Sequence, residues 1–401
     1  MTSEWNHFAL GEITELVIDY RGKTPKKLGG DWCKQGYRAL SAKNIKTGRI
    51  VQAETIRYID ESLYRKWMKD EVQRGDILIT SEAPFGQIFF WDSDEKIVLS
   101  QRLFCVRIKP EYDARFIYYY MTTPEFQSEL DGRATGTTVI GLRQPELMKC
   151  IIRCPEIQEQ KVIAAILSSI DAKIIANEKV NDNLEQQAQS YFQELFVDNA
   201  DPEWAIGTIS DLGTVVGGST PSKAKPEYYT ESGIAWITPK DLSINKSKFV
   251  SHGENDITEL GLKNSSAAIM PEGTVLFSSR APIGYIAIAA GEVTTNQGFK
   301  SVVPKPEIGT PFVYFFLKNT LPVIEGMASG STFKEVSGST MKNVPAVIPD
   351  AETLAKFSDF CAPIFAQQRI LEEQNQSLAT LRDNLLPKLM SGEIDVSAVQ
   401  L

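Results

Sequence analysis

The sequence predicts a mixed α/β (α+β) chain with two tandemly repeated globular modules. Two long antiparallel α-helices separate them, form a coiled coil and are related by a pseudo-two-fold axis. Three observations carry this expectation: a set of motifs that recurs about 195 residues further on, short β-rich runs inside each repeat, and a heptad pattern that closes each repeat. The predicted boundaries are a first module over 1–153, a central helix over 154–198, a second module over 199–347, and a C-terminal helix and tail over 348–401.

The repeat is legible by eye. Leu10-Gly11-Glu12-Ile13 and Gly22-Lys23-Thr24-Pro25 match Ile206-Gly207-Thr208-Ile209 and Gly218-Ser219-Thr220-Pro221, all at an offset of 196. Gly75-Asp76-Ile77-Leu78 with Ala83-Pro84-Phe85-Gly86 matches Gly273-Thr274-Val275-Leu276 with Ala281-Pro282-Ile283-Gly284 at 198. Phe116–Tyr120 matches Phe312–Phe316, and Ala134-Thr135-Gly136-Thr137-Thr138 matches Ala328-Ser329-Gly330-Ser331-Thr332. Each half opens on Glu-Trp, at Trp5 and Trp204. Conserved order with small drifts in offset is what duplication followed by loop insertion and deletion produces.

Within each module, runs such as Asp76–Thr80, Gln87–Trp91 and Leu103–Ile108 are bounded by Gly, Pro and Asp and read as strands. Their counterparts are Thr274–Ser278, Tyr285–Ala289 and Lys300–Val303. Phe116–Met121 reads as a buried helix or a buried strand, since period cannot separate the two over so few residues. Its tyrosines read as core, because Phe315 and Phe316 replace two of them.

Each module is followed by a different pattern. Pro155 and Pro349 are expected in a first helical turn, where proline is tolerated. Ile163, Leu167, Ile170, Ile174, Asn177, Asn181, Leu184, Ala188, Tyr191 and Leu195 then step by fours and threes. The second helix repeats the step at Phe357, Cys361, Ile364, Gln368, Leu371, Asn375, Leu378, Arg382, Leu385 and Leu389. That is a coiled-coil seam over nearly five heptads, whose polar members fix register at some cost in stability. Two separate amphipathic helices, each lying on its own module, are the alternative; the matched lengths favour pairing.

Composition bounds the rest. A chain of 401 residues exceeds one ordinary hydrophobic core, and 42% hydrophobic with 23% charged residues excludes disordered and collagen-like classes. No apolar run reaches the roughly 18 residues of a membrane span, and no secretory leader is visible, so a cytoplasmic location is expected. Five scattered cysteines suit a reducing compartment, and with only His7 and His252 no metal site is expected. Charge is uneven. The four segments carry +2, −5, −2 and −4 in order, so the acidity of a chain at −9 concentrates in the two helices. Near-neutral modules can still present placed cations to a nucleic acid.

Catalytic motifs are missing. There is no phosphate-cradling Gly-x4-Gly-Lys-Ser/Thr loop, no Gly-x-Gly-x-x-Gly, no Asn-Pro-Pro-aromatic tetrapeptide and no Gly-x-Ser-x-Gly elbow. What repeats instead is Ser/Thr, amide and cationic residues in loops. The first module offers Arg21, Lys23, Thr24, Lys26, Lys27, Lys43, Gln101, Arg102, Arg133, Thr135 and Thr137. The second offers Ser219, Thr220, Lys223, Lys225, Lys240, Asn296, Gln297, Ser331 and Lys334. Amides read adenine edges, arginines read guanine, and hydroxyls with lysines hold phosphates, so these are the candidate DNA-binding residues.

The run Leu381-Arg382-Asp383-Asn384-Leu385-Leu386-Pro387-Lys388-Leu389-Met390-Ser391-Gly392-Glu393-Ile394 resembles the C-terminal helix of type I restriction–modification specificity subunits. The helix entrance Cys154-Pro155-Glu156-Ile157-Gln158-Glu159-Gln160 and the Gly-x-Thr-Pro motifs are similar to that family as well. The resemblance covers essentially the whole chain. It implies two target recognition domains, each reading one half of a bipartite double-stranded DNA sequence. It also implies a helical spacer that docks two modification (methyltransferase) subunits, with restriction (endonuclease) subunits joining through them. S-adenosylmethionine, ATP and Mg are then expected on those partners, and this chain is expected to need no cofactor and to catalyse nothing. A scaffold that assembles methyltransferase subunits without reading DNA is the competing expectation.

Overall fold

The computed structural model describes residues 5–136, 140–280, 282–330 and 334–399. The chain forms two compact units. One holds Met1–Lys173 with Leu378–Leu401, the other Ile174–Ser377, so the division falls inside both long helices.

In the first unit a four-stranded antiparallel sheet runs in the order Thr14–Asp19, Leu103–Ile108, Ile77–Thr80, Ile88–Phe90. Side chains alternate across a strand, and here the alternation feeds two cores. Ile77, Ile79, Phe104 and Val106 join a cluster with Phe116, Ile163, Leu167 and Leu389 of the helices. Leu78, Leu103 and Cys105 face the other way, into a cluster with Leu40, Trp67 and Leu99. That second cluster is roofed by a smaller sheet, Arg57–Ile59, Tyr37–Leu40 and Ile97–Leu99, whose last two strands run parallel. The loops leaving the parallel pair carry three of the candidate binding residues, Lys43, Gln101 and Arg102.

The second unit repeats this plan. Its main sheet is ordered Gly213–Gly217, Lys300–Pro304, Val275–Ser279, Ile283–Ala289, Phe249–Val250. Val275, Phe277 and Val302 point to the helix-side core, while Leu276 and Ala287 point to the other. The parallel pair recurs as Ile234–Ile237 with Thr294–Thr295. Repeated glycines explain part of the sequence match. Gly75 and Gly273, and Gly86 and Gly284, all take left-handed φ between 70° and 95°, which a side chain would resist.

A two-stranded ribbon closes each module and delivers the chain to its helix: Asn6–Ala9 with Ile151–Cys154, then Ala205–Thr208 with Pro345–Ile348. The short helices that follow, Leu10–Ile13 and Ile209–Leu212, put Ile209 at the place of Leu10 and Ile206 at the place of His7, which corrects the match of Leu10 with Ile206 drawn from the 196-residue offset. The ambiguous aromatic run is helix Ala114–Met121, its tyrosines buried. Its counterpart continues as one helix, Thr310–Met327, whereas Thr123 caps a new helix, Pro124–Arg133, in the first module.

The long helices span Ile157–Gln193 and Ala351–Met390. Pro155 and Pro349 therefore stand two residues before each helix, not in its first turn. Before the second helix the residue between takes the capping role: Asp350 accepts the Thr353 N–H at 2.9 Å and the Trp204 indole N–H at 2.9 Å. The first helix ends in a π-helical turn, Glu194–Asp198, which takes Leu195 out of regular α geometry.

Within the second unit, Asn177 donates to Asn375 at 2.8 Å, Gln368 donates to the Asn181 carbonyl at 3.3 Å, and Tyr191 packs on Phe357. In the first unit Arg382 reaches Asp171 at 2.8 Å, while Ile163, Leu167, Leu385 and Leu389 share a core. Partners rise along one helix as they fall along the other, so the helices pair antiparallel. Ile170, Ile364 and Leu371 are buried, and Ile174, Leu184 and Leu378 half-buried.

Candidate nucleic-acid interface

In the first module the strand Tyr37–Leu40 turns sharply at Ser41. The Ser41 N–H and hydroxyl both donate to Asn44 Oδ1, at 3.1 and 2.8 Å. Asn44 is buried and ties the turn down by donating to Gln52 O and Thr55 Oγ1. The parallel neighbour crosses beneath, with Ala42 N–H donating to Gln101 O at 3.1 Å. Lys43, Gln101 and Arg102 thereby surround one cleft of about 250 Å³, joined by Ser41, Trp32 and Arg57.

Arg102 sits at φ +66°, where a residue with a Cβ pays on the order of 1–2 kcal/mol. The Ser81 N–H holds its carbonyl at 2.9 Å and Glu82 holds the guanidinium at 3.0 Å. Backbone strain of this kind concentrates at functional sites. Arg57 is exposed and stacks over Trp32 at 5.3 Å, with no acidic partner among the described residues. Lys43 is likewise exposed and without an acidic partner among them.

The second module builds the same turn from Thr238 and Asp241. The Thr238 N–H and hydroxyl each donate to Asp241 Oδ2 at 2.7 Å. Here the neighbouring strand end offers Asn296, whose Oδ1 accepts the Gly298 N–H, and Gln297, which binds Thr220. Ser219 is pinned by Thr295 O and by the Trp236 indole. Gly218 of the Gly-x-Thr-Pro motif is required by close approach, since a Cβ there would lie 2.0 Å from Asn296 O. Gly22 faces open space at the corresponding place. Asp241 replaces the neutral Asn44, and Lys240 is paired with Glu254 at 2.5 Å, so this face carries fewer free cations.

The remaining candidates divide by how far they are already engaged. Arg21 grips Asp19 with two nitrogens at 2.8 Å and lies 4.0 Å over Phe104. Lys23 donates to Trp67 O at 2.5 Å over the Tyr20 ring, and burial lowers its pKa. Arg133 is held by Glu129 and Glu146. Thr24 accepts the Lys27 N–H, and Lys27 donates to Gly22 O. Lys225 lies 4.0 Å from Glu227. Lys26, Lys223 and Lys334 are exposed, and Thr135 is exposed while its backbone pairs with Gly141. Thr137 and Ser331 lie outside the described residues. Sequence reasoning passed over Trp32 and Arg57 because neither recurs in the other half; the only signal was an aromatic in a polar loop.

Among the described residues no cluster of three His, Cys, Asp or Glu side chains could hold a metal, and no helix is long and apolar enough to cross a membrane. Two matched modules thus carry polar loop clusters on equivalent turns, the architecture of a duplicated two-module chain. The comparisons with known proteins agree. The chain belongs to the type I restriction modification DNA specificity domain family, whose model matches residues 2–186 and 202–381.

It is 39% identical over 194 residues to the MjaIX specificity subunit of Methanocaldococcus jannaschii, a match spanning 46% of this chain and 45% of that one. It is 22% identical over 408 residues to the HindI specificity subunit of Haemophilus influenzae, covering 81% and 88%. The type I restriction–modification S subunit from M. genitalium shares the fold, with TM-score 0.60, 18% identity and 96% coverage of both chains.

Proposed function

We propose that this chain is the DNA-reading, non-catalytic member of a type I restriction–modification complex. The modules over 1–153 and 199–347 each read one half of a bipartite target, and the helices over 154–198 and 348–401 space the half-sites. The observation that carries the reading is the recurrence of one turn, Ser41–Asn44 and Thr238–Asp241, placing cations, amides and hydroxyls on homologous loops. Half-sites read from one side of B-DNA lie about one turn apart, roughly 34–36 Å, and a paired helix is stiff enough to hold such a gap. The acidic helices repel phosphate and suit protein partners. These are two modification subunits, with restriction subunits joining through them.

The test replaces Lys43, Gln101 and Arg102 together by alanine in the chain assembled with its modification subunits. Specific DNA binding is expected to fall by two orders of magnitude or more while assembly is unchanged, since three direct contacts are each worth about 1–3 kcal/mol. Unchanged DNA binding would favour a scaffold that does not read DNA.

A further inference from the structure

The ribbon that closes each module borders a groove at its outer side, and the two modules treat that groove differently. In the first unit Trp5 is buried, edge-on to Phe116 at 5.8 Å. The chain's own tail covers it: Gly392 lies against the Trp5 ring, and Ile394 and Val396 join the cluster that holds Trp5, Phe116 and Tyr120, Val396 being only 2% exposed. The cross-strand pair on this ribbon is His7 opposite Arg153, both polar.

The second unit has the same aromatic floor without the cover. Trp204, Phe312 and Phe316, the counterparts of Trp5, Phe116 and Tyr120, line a groove of about 400 Å³ together with Phe196. The cross-strand pair equivalent to His7 and Arg153 is Ile206 opposite Val347, 86% and 42% exposed, and both line the groove. Where the tail follows the second helix, the first helix is followed by Asp198-Asn199-Ala200-Asp201-Pro202, which offers no aliphatic pair. An apolar rim beside an open aromatic groove marks an interaction site.

We propose that this groove docks an extended aliphatic segment of a partner polypeptide, with the Gly-x-Ile-x-Val chemistry by which Gly392–Val396 covers Trp5 in the first unit. A second copy of this chain keeps its own tail buried against its own Trp5, so the occupant is a different polypeptide. The inference does not depend on DNA reading and would hold equally for a scaffold.

The test uses a fluorescently labelled peptide of residues 391–399, titrated into the full chain and followed by anisotropy. The comparison protein carries Ile206→His and Val347→Arg, the first module's own residues at positions exposed enough to leave the fold intact; a matching melting curve checks this. Saturable binding to the natural chain is expected, at least about tenfold weaker on the double variant and on a peptide with Asp at positions 394 and 396. Failure of the natural peptide to bind, or equal binding to the variant, would overturn the proposal. So would sedimentation showing a dimer of the natural chain and a monomer of the variant, because the occupant would then be a second copy.

Discussion

Lys248 holds its ammonium inside the second unit, 2.7 Å from Glu185 and 2.8 Å from Gln368 Oε1, with the Phe365 ring 3.6 Å away. Burial pushes its pKa down to about 8 from 10.5. Burial opposes the Glu185 charge too, but Lys248 and Lys318 outweigh it and hold that carboxyl below its usual range. Between pH 8 and 10.5 the unfolded chain therefore binds more protons at Lys248 than the folded one, so this group makes stability rise with pH there. The urea midpoint of the natural chain, measured relative to Lys248→Met, should climb across that window; a flat difference would refute the assignment. Removing the carboxylate with Glu185→Gln strands the ammonium and should cost about 3–5 kcal/mol at neutral pH. None of this was legible in the sequence, where Lys248 is an ordinary lysine between a serine and a phenylalanine. Lys43 and Gln101 were legible as candidates because their types recur at Lys240 and Gln297, whereas Arg102 stands against Gly298 and was a candidate by residue type alone. Arg57 was not, and Arg57→Ala should relax the preferred base at one position of one half-site, by about 1–3 kcal/mol of discrimination. Competition binding with single-base variants of the target measures it.

Strands and helices were legible where pattern alone decides. The strand runs match within a residue or two because Leu103–Ile108 and its neighbours are β-rich and bounded by turn residues. The seam was legible because apolar side chains at 3.5-residue spacing make one continuous stripe that must be buried, and here its ends bury against the module sheets as well as against the other helix. The helix starts were misplaced because a capping residue, Asp350, intervenes between proline and helix, and the π-helical turn at Glu194 has no sequence period to betray it. Asn177 donates to Asn375 Oδ1 at 2.8 Å, so Asn177→Leu leaves that half-buried amide oxygen without its donor. It should cost about 1–3 kcal/mol in a denaturant titration, whereas leucine at both positions should restore stability while loosening register. The Gly-x-Thr-Pro motif separates by the same reasoning. Gly218→Ala should lower the melting temperature by several degrees through its clash with Asn296 O, and Gly22→Ala should be tolerated.

For the whole molecule, duplication is the organising fact, and it was the most legible feature because it is written in order and spacing, independent of secondary structure. The half-units have since diverged in charge. Asp241 and the Lys240–Glu254 pair leave the second module with fewer free cations than the first. The isolated chain should accordingly bind DNA weakly, losing most of its affinity between 50 and 200 mM salt on the order predicted for a few phosphate contacts, and bind tightly only with partners present. The target sequence itself is not encoded in any feature that pattern or periodicity exposes, since it depends on which loop atoms meet which base edges. Mapping N6-methyladenine across the genome of cells expressing this chain with its modification subunits tests the central claim most directly. Two short blocks of defined sequence around a fixed gap are the predicted result. A stable complex that methylates nothing, or that methylates a single uninterrupted block, would contradict the two-module account.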